Sequence, residues 1–327
     1  MREVHDVPLT SWMPPEYVVD SDGKVEGATP GKVHNWGRWG ANDQLGTANL
    51  LTPERRVAAA ALVRSGRTVS LGLPVGGHEP NPGTRSEILH FFRRTTADHL
   101  LGDTAAFDLQ TSDDVVFLPL QGSTQLDGHA HFAKDDVLYN GYWAGLVTAQ
   151  SGARRLGIHN QAGGIVGRGV LLDIPSVEDI DPFGAQIGPE LLERAEQAAS
   201  LTVGAGDIVL VRTGFLGAWL ANPDQRNRRR QAGLTHETAT WLASRDVAMV
   251  AADNRTVESI PASDGHAVLS FHVAALRDLG LLLGELFDLD ELARACAEER
   301  RHEFLFAAMP FPLVNGVGSP LNPLAMF

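Results

Sequence analysis

Between Phe117 and His131 the chain reads Phe-Leu-Pro-Leu-Gln-Gly-Ser-Thr-Gln-Leu-Asp-Gly-His-Ala-His. The run opens apolar, as a buried strand does, and then places Gln121, Gln125, Asp127, His129 and His131 at odd positions. Alternate residues of a strand share a face, so an extended segment would aim all five side chains the same way. A carboxylate and two imidazoles converging at one strand end form a donor set for a divalent metal ion. The plainer reading is a polar loop that follows a strand.

A second candidate stretch runs from Phe271 to Glu285, where His272 and Glu285 flank an apolar segment. A histidine at the start of a helix is usually a core or capping residue, and a glutamate is usually a surface charge. Glu285, however, lies in Leu281-Leu-Leu-Gly-Glu-Leu-Phe287. Burying a carboxylate there without a partner is costly, and that cost points to function.

The elements that must position these residues are readable in outline. Thr52, Pro53 and Gly66 punctuate a helix, with Val57, Ala61 and Leu62 expected to face inward. Strands are expected over 67–74, 88–94, 167–174, 207–213 and 247–253. Helices are expected over 187–199 and over 235–244, the latter capped by Thr235. The stretches 76–86 and 97–114 read as loops, and Asn140-Gly141 as a turn. Helical patterns alternating with apolar strands argue for an α/β fold with helices packed on a sheet. Trp36 and Trp39 either line a pocket or cover a core edge, the second being favoured by composition.

The motif resembles the signature of the metal-dependent cyclase family, which includes kynurenine formamidase and isatin hydrolase: His-x-Gly-Thr-His-x-Asp-x-Pro-x-His. Thr124, Asp127 and His131 match it. Gln121 and Gln125 stand where the family has its first two histidines, Ser123 replaces the glycine and His129 the proline. Asn35–Asn49 is similar to the N-terminal segment of the longer family members, and Ala308–Leu321 to the family's closing strand and loop. The likeness covers roughly 35–327.

The resemblance implies a kynurenine-formamidase-like α/β fold, a central mixed sheet or barrel surrounded by helices. A single domain over 35–327 would follow an irregular arm over 1–34. It implies a divalent metal, manganese or zinc, held by Asp127, His131, His272 and Glu285, with Gln125 as an oxygen donor and Gln121 as a weaker one. A glutamine oxygen suits a hard cation better than a transition metal. The implied activity is hydrolysis of an amide, lactam or cyclic ester bond through a metal-activated water. His131 is the expected acid–base and His129 its rival; the two share a face only if the segment stays extended, and a turn at Gly128 would separate them. The alternative is a ligand-binding relative that lost catalysis with the two histidines. A homodimer or homotetramer is expected, since family members assemble.

Composition narrows the field. The 327 residues are 43% hydrophobic and can bury a large core, and 27 basic against 40 acidic residues give a net charge of −13. Arg226–Arg230 is too short a basic run for a nucleic-acid surface. A lone cysteine, Cys296, excludes an internal disulfide and reads as inert packing. With no apolar signal core and no membrane-length apolar run, a cytoplasmic protein with a small-molecule substrate is expected, with no nucleic-acid or membrane partner. No Gly-x-Ser-x-Gly elbow or Gly-x-Gly-x-x-Gly loop occurs. Gly27–Lys32 has the wrong spacing for a P-loop. His159, Asp253 and His266 read either as further pocket residues or as structural ones, the second being favoured.

Overall fold

The computed structural model describes residues 16–76, 85–102, 109–222, 230–263 and 265–327. Most of Arg226–Arg230 and the first half of the N-terminal arm lie outside the described residues. A mixed nine-stranded sheet organises the molecule. In spatial order its strands are Thr68–Ser70, Leu324–Met326, Glu303–Ala308, Ile165–Asp173, Ile208–Arg212, Met249–Ala252, Leu282–Glu285, Gln125–Asp127 and Gly318–Pro320.

The central strands are parallel, with apolar side chains on both faces. Leu171, Ile208, Leu210, Met249, Ala251 and Leu282 enter one core cluster, while Val170, Leu172, Val209, Val211, Val250 and Leu283 enter another. The two clusters are the two faces of one sheet. This is why the sequence shows unbroken apolar runs there instead of alternation. Cys296 belongs to the first cluster and is fully buried, and burial pushes its thiol up to about 12. It is an unreactive packing group.

Several expectations are corrected in detail. Thr52 does cap the first helix, accepting from the Arg55 amide, but the helix ends at Ala60. Val57 is 72% exposed, and the inward position belongs to Ala59. The helix assigned to a Thr235 cap begins at Thr238, whose hydroxyl donates to the Thr235 carbonyl at 2.5 Å. The stretch 97–114, expected as loop, takes part in a short helix, Thr96–Leu100, and a strand, Asp113–Phe117. That strand pairs with Leu89–Arg94 in an exposed ribbon separate from the main sheet.

The segment around the two tryptophans covers a core edge and ties down the chain beyond His272. Trp36 Nε1 donates to the Arg277 carbonyl at 2.6 Å, and Asn35 donates to the carbonyls of Asp278 and Leu279. Trp39 packs against the first core cluster. Gly46 adopts φ +58°, and a Cβ there would collide with the Gly280 carbonyl and the His129 ring. Only glycine permits that approach.

Candidate metal centre

The site is built where three antiparallel strands end the sheet. Gln125–Asp127 lies between Leu282–Glu285 and Gly318–Pro320. Gln125 sits directly opposite Glu285, and its Nε2 donates to Glu285 Oε2 at 2.6 Å. Asp127, two residues on, shares the face of Gln125 and lies diagonal to Glu285. Thr124 fastens the strand's entry: its hydroxyl donates to the Leu286 carbonyl at 2.6 Å and accepts the Leu73 amide at 2.9 Å. That hydroxyl is a rivet between three chain segments.

His272 arrives from a helical segment over Ser270–Leu279 whose second part, Val273–Leu279, is π-helical. Such wide turns recur at functional sites. Its Nε2 lies 3.2 Å from Glu285 Oε1 and 4.0 Å from Asp127 Oδ2, and its Nδ1 lies 2.6 Å from Glu258 Oε1. One donor atom each from Asp127, His272 and Glu285 falls within 4.8 Å of the others, and all three residues are buried. His131 approaches from the rim, its Nε2 3.9 Å from Asp127 Oδ1 and its side chain 24% exposed.

The electrostatics are those of a concentrated negative site. Burial, then the neighbouring Asp127 charge, pushes the Glu285 carboxyl up to about 7, against the pull of His272 and Arg85. Burial alone would lower His272, but hydrogen bonds to Glu258 and Glu285 outweigh it and hold the ring up to about 10. Among the described residues, neither oxygen of Asp127 nor Oε1 of Gln125 meets a hydrogen-bond donor, though all are buried. An unsatisfied buried carboxylate is strongly unfavourable, and a cation bound to those oxygens removes the penalty. The residues present therefore fit a divalent ion: two carboxylates, one imidazole and one amide oxygen.

His129 is not brought into this cluster. The regular strand ends at Asp127, and the chain turns at Gly128, whose carbonyl accepts the His131 amide at 2.9 Å. Five side chains on one face would need the strand to continue. The His129 ring instead packs on Tyr139, with Nε2 2.9 Å from the Gly280 carbonyl and Nδ1 3.3 Å from that of Gln44. Burial pushes its pKa down. The carbonyl-bonded ring pins the N-terminal segment to the end of the His272 element, where Thr47 bonds the same Gly280 carbonyl. Gln121 lies against Gly318, with its Nε2 buried and without an acceptor among the described residues.

Asp253 and His159 have structural surroundings, whereas His266 lines a cavity together with Phe132 and His236. Asp253 accepts from the Thr213 amide and hydroxyl and the Gly214 amide, and burial pushes its carboxyl up to about 6. His159 accepts the Asn315 amide at 3.1 Å. His266 stacks on His236 and meets Glu237 at 3.0 Å. The residue that sequence reasoning misses is Glu258. Its only signal is an acid between Val257 and Ser259-Ile260, the same clue of an acid in apolar company that singles out Glu285.

The comparisons with known proteins agree with this architecture. The family model described as "Putative cyclase" matches residues 110–259. No curated protein matches the chain. A crystal structure described as a novel cyclase is 38% identical, with a TM-score of 0.86, covering 90% of this chain and 100% of that one. An isatin hydrolase bound to the product analogue thioisatinate shares the fold at 15% identity and a TM-score of 0.58, covering 84% of this chain and 98% of that one. Isatin hydrolase A from Ralstonia solanacearum does so at 18% and 0.55, covering 84% and 97%. Among the described residues, no helix is long and apolar enough to cross a membrane. With more than a third of its residues identical to those of a cyclase over nearly the whole chain, this protein belongs to the cyclase family.

Proposed function

We propose that this protein is a metal-dependent hydrolase of a C–N amide or lactam bond, or of a cyclic ester. The observation that carries the reading is the buried Asp127 carboxylate, which among the described residues meets no donor on either oxygen, set beside Glu285 and His272. When bound, a divalent cation supplies the positive charge that polarises a carbonyl and acidifies water. Asp127 and Glu285 offset that charge, His272 offers Nε2, and Gln125 offers its free amide oxygen. The preponderance of oxygen donors suits manganese, while zinc is also accommodated by the imidazole.

His131 is the proposed acid–base. Among the described residues it is the imidazole that borders the cluster and keeps solvent contact. It takes a proton from the attacking water and returns it to the departing nitrogen or oxygen as the C–N or C–O bond breaks. Phe132, whose ring centroid lies 5.4 Å from that of His272, forms an apolar wall for an aromatic or aliphatic acyl portion. The fold shared with isatin hydrolase makes a fused-ring lactam the first compound to try. The test is elemental analysis of protein purified without chelators, followed by hydrolysis of cyclic amides before and after chelation. We expect about one equivalent of manganese or zinc and hydrolysis that is lost on chelation and restored by the metal. Metal without hydrolysis would instead favour a ligand-binding relative disarmed by Gln121 and Gln125. Absence of metal, with none taken up, would sink the proposal.

We also propose that the chain is cytoplasmic and works as a dimer or tetramer. The ribbon of Leu89–Arg94 and Asp113–Phe117 exposes Phe91, Phe92 and Phe117 at 55%, 62% and 58%. A lone two-stranded ribbon is marginal in water, and exposed apolar patches of this kind mark contact surfaces. Light scattering should return a multiple of 35.1 kDa; the single-chain mass would rule assembly out.

A further inference from the structure

We infer that Glu258 is the positioning residue that sets the ring orientation and tautomer of His272 for metal binding, an inference that rests on the metal-centre reading above. Glu258 is buried and makes three bonds to one short stretch of chain. Its Oε1 faces His272 Nδ1 at 2.6 Å and accepts the His272 amide at 3.1 Å, and Oε2 accepts the Phe271 amide at 3.2 Å. A carboxylate carries no proton of its own to give, so the short contact is an Nδ1–H donating to Oε1. That leaves Nε2 as the atom turned toward Asp127 and Glu285. Both backbone bonds fix the start of the same helical turn, so the carboxylate holds backbone and side chain of the ligand together.

Glu258 is itself held from the opposite side. Its carbonyl accepts Gln231 Nε2 at 3.0 Å, and the flanking residues bond Leu234: the Leu234 amide donates to the Val257 carbonyl at 3.0 Å, and the Ser259 amide to the Leu234 carbonyl at 3.0 Å. Gly233 makes this approach possible, because a Cβ there would run into the Glu258 backbone. A ligating histidine whose second nitrogen is bonded to a carboxylate has a fixed tautomer and a more basic donor atom, and loss of that partner costs about 10–100-fold in metal affinity.

The test begins with the unaltered protein. In the zinc-loaded protein, two-bond proton–nitrogen correlation on labelled histidine should show His272 protonated at Nδ1 and bound to zinc through Nε2. Zinc on Nδ1 with the proton on Nε2 overturns the inference. Glu258→Gln, and Glu258→Asp should the first fail to fold, is then titrated with zinc against a chromophoric chelator. We expect affinity about 10–100-fold weaker, with a melting midpoint of the metal-free form near that of the parent. Parent-like zinc affinity in a folded variant overturns the inference. A parent protein that binds no zinc and no manganese is a separate result, which fails the metal-centre reading itself.

Discussion

Asp127→Asn should remove the metal and strengthen the metal-free protein at once. The carboxylate is the central anion of the site, close to His272 and His131 and diagonal to Glu285. Replacing it by a neutral amide should weaken manganese or zinc binding by more than the roughly 10–100-fold typical of an outer-shell change, and hydrolysis should fall with it. In the metal-free state, however, Asp127 buries two oxygens without donors beside Glu285. Asparagine relieves that charge, so the chelated variant should unfold about 1–2 kcal/mol later than the chelated parent. The opposed effects separate a functional residue from a merely structural one, whose loss would lower both. They also carry a pH signature. Glu285 at about 7 and His272 at about 10 both hold protons more tightly in the fold than in the open chain. The stability they give the metal-free parent is complete at low pH and is lost as pH rises through those values. Asp127→Asn removes part of the push on Glu285, so that loss should shrink between pH 4.5 and 7. Chemical denaturation of chelated protein across pH, together with metal titration, reads all of this. A variant that keeps its metal, or that is destabilised when chelated, would count against the assignment.

His131→Ala should behave differently. Its ring nitrogen is 3.9 Å from Asp127, and the side chain faces the rim of the site. Turnover should drop by about 10²–10⁴-fold, the usual worth of an acid–base group, while metal content changes little. Loss of metal would make the residue chiefly a ligand. A metal-replete variant with parent turnover would end its candidacy. His129 does not inherit the role, since both its nitrogens face backbone carbonyls.

Much of this centre is legible in the chain because its clues are local. The alternation of Gln125 and Asp127 survives as a real strand face, and the apolar company of Glu285 correctly signals a buried acid. What is illegible depends on chain reversal and distant contact. Gly128 leaves open whether the strand runs on or turns, and the turn that forms there separates His129 from the site. The ribbon partner of Leu89–Arg94 sits in a stretch that reads as loop, since neither of its faces is buried to impose a pattern. Glu258 offers only the clue of an acid in apolar company; its partner is set by the path of residues 231–234 and by the entry of the His272 helix, neither of which leaves a trace in its neighbours.

The donors of the centre come from distant parts of the chain: Gln125 and Glu285, face to face across two strands, are 160 positions apart. A ribosome must therefore release the chain past Glu285 before the pocket exists, and the strand Gly318–Pro320 that flanks Asp127 emerges later still. Unlike small domains whose ligands lie within one hairpin and whose cation drives folding, this protein could not use the proposed ion as an early template. Long-range pairing of this kind makes for high contact order and slow maturation. On the proposed reading, metal acquisition then follows sheet closure and is open only to chains that have already completed it.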